Sequence, residues 1–244
     1  MALRFNVPYA PFKNGAFVPH RSKALLLDMD GVVLHHPKAS ALIKGRVEKY
    51  IENILDMPPE EAIPINKFLY QTYGHTTIGL EKIYNKQISI KEFNANVYDP
   101  HTMLIAQYLA PEEETFAQGR EVRELVQRCF EEGIPTYIFS NAPMVWCQWA
   151  SWLLRLNNMI PVKNMITCDH LNGGFLKPDP NVYDFVAGMI RTDDLLFIDD
   201  TLINLPNAPR WTCFHKPPPN SPIGPYKSPN IHRIQRFADV YPYI

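Results

Sequence analysis

Two aspartates, Asp28 and Asp30, stand one residue apart at the end of an apolar run in LLLDMDGVVL (25–34), and Gly31 follows at once. A carboxylate is costly to bury unless it is paired or bound to a metal. Side chains at i and i+2 of a strand share a face, so both carboxylates can serve one site. Such a pair can hold a hard cation through oxygen. Alternatively, one aspartate can act as a nucleophile while the other moves protons. Gly31 lets the backbone turn sharply and approach a ligand closely.

Three later stretches end in chemistry that fits the same purpose. TYIFS (136–140) ends in Ser140 and is followed by Asn141, a hydroxyl and an amide that can hydrogen-bond phosphate oxygens. GGFLKPDP (173–180) supplies Lys177, a point charge suited to a phosphoryl group. LLFID (195–199) ends in Asp199-Asp200, two more carboxylates for a cation, with Asn204 one helical turn beyond. Each piece alone has an ordinary explanation: an acidic pair that starts a helix, a Ser-Asn turn, a surface lysine. Asp28 after four apolar or small residues is the hardest to explain in that way.

The elements that must position these residues follow from periodicity. Short apolar runs at 24–28, 136–140, 165–169, 195–199 and 211–215 read as buried strands. Helical patterns lie between most of them. One covers 119–133 and stops at Gly133, another covers 143–156, and a third begins at Asp179-Pro180. Strands alternating with helices predict an α/β fold, a parallel sheet covered on both faces. In such sheets ligands bind beyond the carboxyl ends of the strands. The stretch 35–118 differs, with helical patterns at 40–55, 59–74 and 88–98 punctuated by Pro58, Pro59, Pro64, Gly74 and Pro100. The expected organisation is a Rossmann-like core from 1–34 and 119–244, with an inserted all-helical domain at 35–118.

Composition narrows the function. The 244 residues are 46% hydrophobic and 20% charged, enough for one full core and a smaller satellite domain. A formal net charge of -1 gives no electrostatic case for a nucleic-acid polymer or an anionic membrane. No apolar run approaches a membrane span, and the first residues carry no secretory apolar stretch, so the expected location is cytoplasmic. Cys129, Cys147, Cys168 and Cys213 have no zinc spacing and read as buried reduced thiols. The 23 prolines concentrate toward the two ends, which are expected to lie extended over the core. The segment HKPPPNSPIGPYKSPN (215–230) reads as a surface connector, with binding of a protein partner as its second reading. The expected assembly is a monomer or a homodimer.

Taken in order, DMDGV (28–32), FSN (139–141), Lys177 in LKPDP and IDDTLIN (198–204) resemble the four motifs of the haloacid dehalogenase (HAD) superfamily of phosphohydrolases. The helical insert lies where the helical class 1 cap of that family belongs. The resemblance implies that Asp28 attacks phosphorus. Asp30 would protonate the leaving oxygen and then activate water. Magnesium would be held by Asp28, the Asp30 carbonyl and Asp200, with Asp199 assisting. Gly31, Ser140, Asn141 and Lys177 would surround the phosphoryl group of a small phosphorylated metabolite. The dehalogenase branch lacks the second aspartate, so Asp30 argues against carbon–halogen cleavage.

YQTYGHTTIGL (70–80) looks like the YG-T-GL pattern in the cap of pyrimidine 5'-nucleotidases in this superfamily, with His75 as a change in residue type. By that likeness Tyr73, His75, Thr76 and Thr77 are candidate substrate contacts on a turn between helices, and nucleoside 5'-monophosphates are the first substrate expectation. A phosphatase or phosphomutase for sugar phosphates is the alternative, and a catalytically idle binding protein is the other class of reading. His35-His36 read as a linker, and Trp146, Trp149 and Trp152, spaced by three, as core packing.

Overall fold

The computed structural model describes residues 23–244 apart from 172–174, 193, 209, 219–220, 222–225 and 227. The N-terminal extension and much of the proline-rich stretch therefore lie outside the described residues. Among the described residues six parallel strands form one sheet: β1 (Ala24–Leu27), β2 (Thr136–Phe139), β3 (Met165–Ile166), β4 (Leu195–Asp199), β5 (Thr212–His215) and β6 (Ile231–Arg233), in the spatial order β3-β2-β1-β4-β5-β6. β1 lies inside the sheet, with Leu27 beside Ile138 on one side and Ile198 on the other. This register brings the carboxyl ends of β1, β2 and β4 level, which places Asp28, Ser140 and Asp199-Asp200 at one edge. β6 was not anticipated, because its residues Ile-His-Arg hold one apolar side chain and form no apolar run.

Alternation along the strands divides the core in two. Leu25, Leu27, Ile138, Leu196 and Ile198 face one cluster. It is covered by α6 (Glu113–Glu131), α7 (Met144–Leu153) and a C-terminal 3-10 segment at Phe237–Tyr243. Ala24, Leu26, Phe139, Leu195 and Phe197 face the other cluster, covered by α8 (Pro180–Ile190). Both faces are thus buried, which is why β1 carries no polar residue until Asp28.

The insert is helical as expected, but has five helices before α6 where periodicity gave three. They are α1 (Pro37–Leu55), α2 (Pro59–Tyr73), α3 (Thr76–Tyr84), α4 (Ile90–Val97) and α5 (Pro100–Tyr108). Tyr50, Ile51, Leu69, Leu80, Phe93 and Val97 form a small core of their own. Met103 and Ala106 of α5 pack into the main core instead. The turn expected over 70–80 shrinks to Gly74 and His75, because the His75 ring caps α3 by accepting the Thr77 N–H. Pro64 lies inside α2 without ending it. No helix among the described residues is long and apolar enough to cross a membrane. The four cysteines are free and buried.

One packing expectation is corrected. Trp146 and Trp149 are buried, but Trp152 is 69% exposed. Each three-residue step falls about 60° short of a full helical turn, so Trp152 lies about 120° around α7 from Trp146. Truncating Leu27 to Ala should cost about 2–5 kcal/mol. Trp152→Ser should change stability by no more than about 0.5 kcal/mol. Urea unfolding of the two variants checks the assignment, and a large loss at Trp152 would contradict it.

Candidate active site

Asp28 immediately follows β1. Its Oδ1 accepts the Met29 N–H at 2.7 Å and lies 3.0 Å from Lys177 Nζ. Its Oδ2 takes no hydrogen bond from the described residues. Lys177 is 1% exposed, and its Nζ also donates to Asp199 Oδ2 at 2.7 Å. Asp199, fully buried, further accepts the Thr201 N–H at 2.8 Å and the Asn204 amide at 3.0 and 3.1 Å. Asp199 is therefore saturated by its own loop and Lys177, while Asp200 is partly exposed and accepts from the Thr201 hydroxyl at 3.2 Å.

Gly31 takes a φ of +80°, and a Cβ there would lie 2.3 Å from Asp200 Oδ2. The glycine is thus required both by conformation and by the carboxylate pressed against it. The Gln118 amide on α6 donates to the Gly31 carbonyl at 3.1 Å. Asn141 makes a reciprocal clamp: its amide donates to the Lys177 carbonyl at 2.8 Å, and its oxygen accepts the Lys177 N–H at 2.9 Å. Its side chain fixes the lysine's backbone. The peptide bond from Lys177 to Pro178 is cis. Ser140 is buried, with its hydroxyl accepting the Ala142 N–H at 3.1 Å.

The Asp30 carboxylate is held differently, its Oδ1 accepting the Trp146 indole N–H at 2.9 Å. Sequence reasoning assigned Trp146 to packing only. His215 was also missed. Its Nε2 donates to the Asp200 carbonyl at 2.9 Å, so its Nδ1 must accept from the Tyr226 hydroxyl at 2.7 Å. Burial lowers its pKa and favours this neutral form.

In the cap, three of the expected contact residues make hydrogen bonds within the cap itself. His75 Nδ1 lies 2.8 Å from the Thr77 hydroxyl, and the Thr76 hydroxyl donates to Asn66 at 3.0 Å. Tyr73 packs beside Gly79 and under Lys82. Burial lowers the His75 pKa to about 4. The segment reaches the core through Gly74, where a Cβ would lie 2.5 Å from Pro178 Cδ. One helical turn earlier, the Tyr70 ring is half exposed, but its hydroxyl turns inward to the Thr201 side chain, near Asp200 and Asp28. Burial and those charges push its pKa up. Tyr98, at the end of α4, is likewise raised by burial and by Asp30. Neither tyrosine stands out in the sequence, because nothing distinguishes a site-facing tyrosine from the other tyrosines of the cap. His36 caps α1, and His35 pairs with Glu114.

Four carboxylates and one ammonium crowd this centre. Burial, followed by the neighbouring acids, raises Asp200 to about 7. Burial raises Asp30 to about 6, against the pull of Trp146 and Lys177. Asp28 is raised by burial, and Lys177 opposes the shift. Burial works to lower Lys177, but Asp199 and Asp28 outweigh it and its pKa rises. Oxygen atoms of Asp28, Asp199 and Asp200 lie within 4.8 Å of one another, an all-oxygen donor set that suits a hard divalent cation.

No family model matches the sequence, and no curated protein sequence matches it. Solved structures share the fold. A HAD hydrolase of family IA, variant 3, from Entamoeba histolytica is 18% identical with a TM-score of 0.59, over 89% of this chain and 94% of that one. A HAD phosphatase from Thermococcus onnurineus is 16% identical with a TM-score of 0.52, over 91% and 97%. A dehalogenase structure is 14% identical with a TM-score of 0.54, over 93% and 99%. At these identities the similarity establishes a shared HAD-like α/β fold.

A divalent cation should stabilise the protein in a pH-dependent way. Carboxylates whose folded pKa is raised contribute stability below their ordinary value of 3.8 that is lost as pH rises through about 6 to 7. Cation binding needs the ionised forms and opposes that loss. At saturating magnesium the melting temperature should rise by about 5–10 °C near pH 8 and by much less near pH 5. Gly31→Ala should remove the shift. Equal shifts at both pH values would contradict a carboxylate cation site.

Proposed function

We propose that the protein is a magnesium-dependent phosphomonoester hydrolase in which Asp28 receives the phosphoryl group. The observation that supports this most is the state of the Asp28 carboxylate. Met29 and Lys177 fix one oxygen, and the other takes no hydrogen bond from the described residues. A nucleophile needs this combination of a set direction and an available lone pair. Asp28 and Asp200 would hold the cation, with the Asp30 carbonyl and the saturated Asp199 beside them. The bound ion would neutralise charge on the phosphoryl oxygens.

The chain's own groups account for the rest. Lys177 offers charge beside Asp28, and the Ser140–Asn141 turn offers hydrogen bonds to phosphoryl oxygens. Asp30, held by the Trp146 indole rather than by Lys177, would give a proton to the leaving oxygen and take one from water. The cap lies against the core at Gly74 and presents Tyr70 and Tyr98 to the catalytic acids, a covered site suited to a small substrate. Within that class nucleoside 5'-monophosphates come first, on the likeness of 70–80 to nucleotidase caps. On this reading the backbone of the Tyr73–Thr77 turn and the inward Tyr70 set the choice of leaving group. A cytoplasmic location fits such a metabolite.

The test is phosphate release from pyrimidine and purine monophosphates, sugar phosphates and an aryl phosphate, with and without magnesium. Turnover should require magnesium and favour one nucleotide class. Asp28→Asn should lower it by at least about 10³-fold without unfolding the protein. Undiminished activity in that variant would rule out the nucleophile. Phosphoryl transfer to a second substrate hydroxyl instead of water would identify a mutase.

A further inference from the structure

We propose that Trp146 is a positioning residue for Asp30, holding the proton-transfer carboxyl in a fixed orientation. The inference rests on the phosphohydrolase reading above and extends it to a residue outside the four motifs. An indole N–H only donates, so Oδ1 of Asp30, 2.9 Å from Trp146 Nε1, must accept. That bond occupies Oδ1 and leaves Oδ2 as the oxygen free of the indole, through which a proton can be passed.

The donor itself is held firmly. Trp146 is 1% exposed, its ring lies 4.7 Å from that of Trp149, and Tyr98 meets it edge-on at 5.7 Å. It lies in the first turn of α7, directly after the Ser140–Asn141 turn, so one local structure places both the phosphate donors and the indole. Tyr98 comes from the cap, so the indole is also where cap and core pack together beside Asp30.

The step that depends on this orientation is the first half-reaction. A carboxylate oxygen of Asp28 bonds to phosphorus as the bond from phosphorus to the leaving oxygen breaks, and a proton passes from the Asp30 carboxyl to that oxygen. In the second half-reaction a water oxygen bonds to phosphorus, its proton returns to Asp30, and the Asp28 carboxylate is released. An alkoxide leaving group needs the proton, whereas a nitrophenolate leaves without it. The ratio kcat/KM reports only the first half-reaction, because release of the alcohol commits the substrate.

The experiment compares kcat/KM for an alkyl and a nitrophenyl phosphate in wild type, Trp146→Phe, Trp146→His and Trp149→Phe. Trp146→Phe should lose about tenfold or more on the alkyl ester and no more than about threefold on the aryl ester. Trp146→His, whose ring can donate an N–H, should recover part of the alkyl loss. Trp149→Phe removes a similar ring from the same stack without touching Asp30, and should show no such bias. Should Trp146→Phe unfold, benzothienylalanine at position 146 keeps the ring shape, deletes only the N–H and should give the same bias. Equal losses on both esters, or a Trp149→Phe variant that reproduces the bias, would overturn the inference while leaving the phosphohydrolase reading intact. A wild-type protein silent on every ester would overturn both.

Discussion

The structure depends on one buried ammonium. Lys177 is almost wholly withdrawn from solvent and lies between Asp28 and Asp199, with the Phe139 and Phe197 rings at 5.1 and 5.3 Å. Removing one partner of such a pair leaves an uncompensated charge, at a cost of about 3–5 kcal/mol. The surrounding chain is arranged to prevent that. Asn141 grips the lysine's backbone from both sides, Asn204 and Thr201 complete the hydrogen bonds of Asp199, and Gly74 of the cap packs against Pro178. The ends of three strands and the turn between two cap helices thus converge on one cation.

That constraint also separates the aspartates by environment. Asp199 has its acceptor capacity filled by the protein, so it acts as an anchor. Asp28 has one oxygen filled and one available. Asp200 is the most open of the cluster, and His215 steadies its backbone carbonyl. Asp30 is held by the indole of Trp146. Four chemically identical side chains thereby acquire four environments, which a reaction needing a nucleophile, a cation site and a proton carrier can use.

Much of this was legible in the sequence, for identifiable reasons. The strands ending at Asp28, Ser140 and Asp199 show as short apolar runs because both sheet faces are buried, and the acids stand out against them. Long amphipathic helices such as α1 and α6 show by period. What was hidden has a physical cause in each case. α3 follows α2 after only Gly74 and His75 and starts on a histidine cap that is not a usual N-cap type, and α5 (PHTMLIAQY) carries apolar residues without an amphipathic period. β6 holds one apolar side chain and forms no apolar run. Trp152 shares a three-residue spacing with Trp146 but not a helix face. The inward turns of Tyr70 and Tyr98 and the Trp146 bond to Asp30 arise from tertiary packing between segments far apart in the chain, which no local pattern records. In the hydroxyl-rich turn at 73–77, His75 bonds Thr77 and Thr76 bonds Asn66 within the cap, pairings that the sequence pattern alone does not record.

The central claim is that Asp28 forms a covalent bond to phosphorus. The direct measurement is acid quenching of the enzyme during turnover, followed by mass analysis of the peptide that contains Asp28. The account predicts one added phosphoryl group on Asp28, lost on treatment with hydroxylamine and absent in Asp28→Asn. Steady turnover with an unmodified Asp28, under conditions where the first half-reaction outpaces the second, would contradict it.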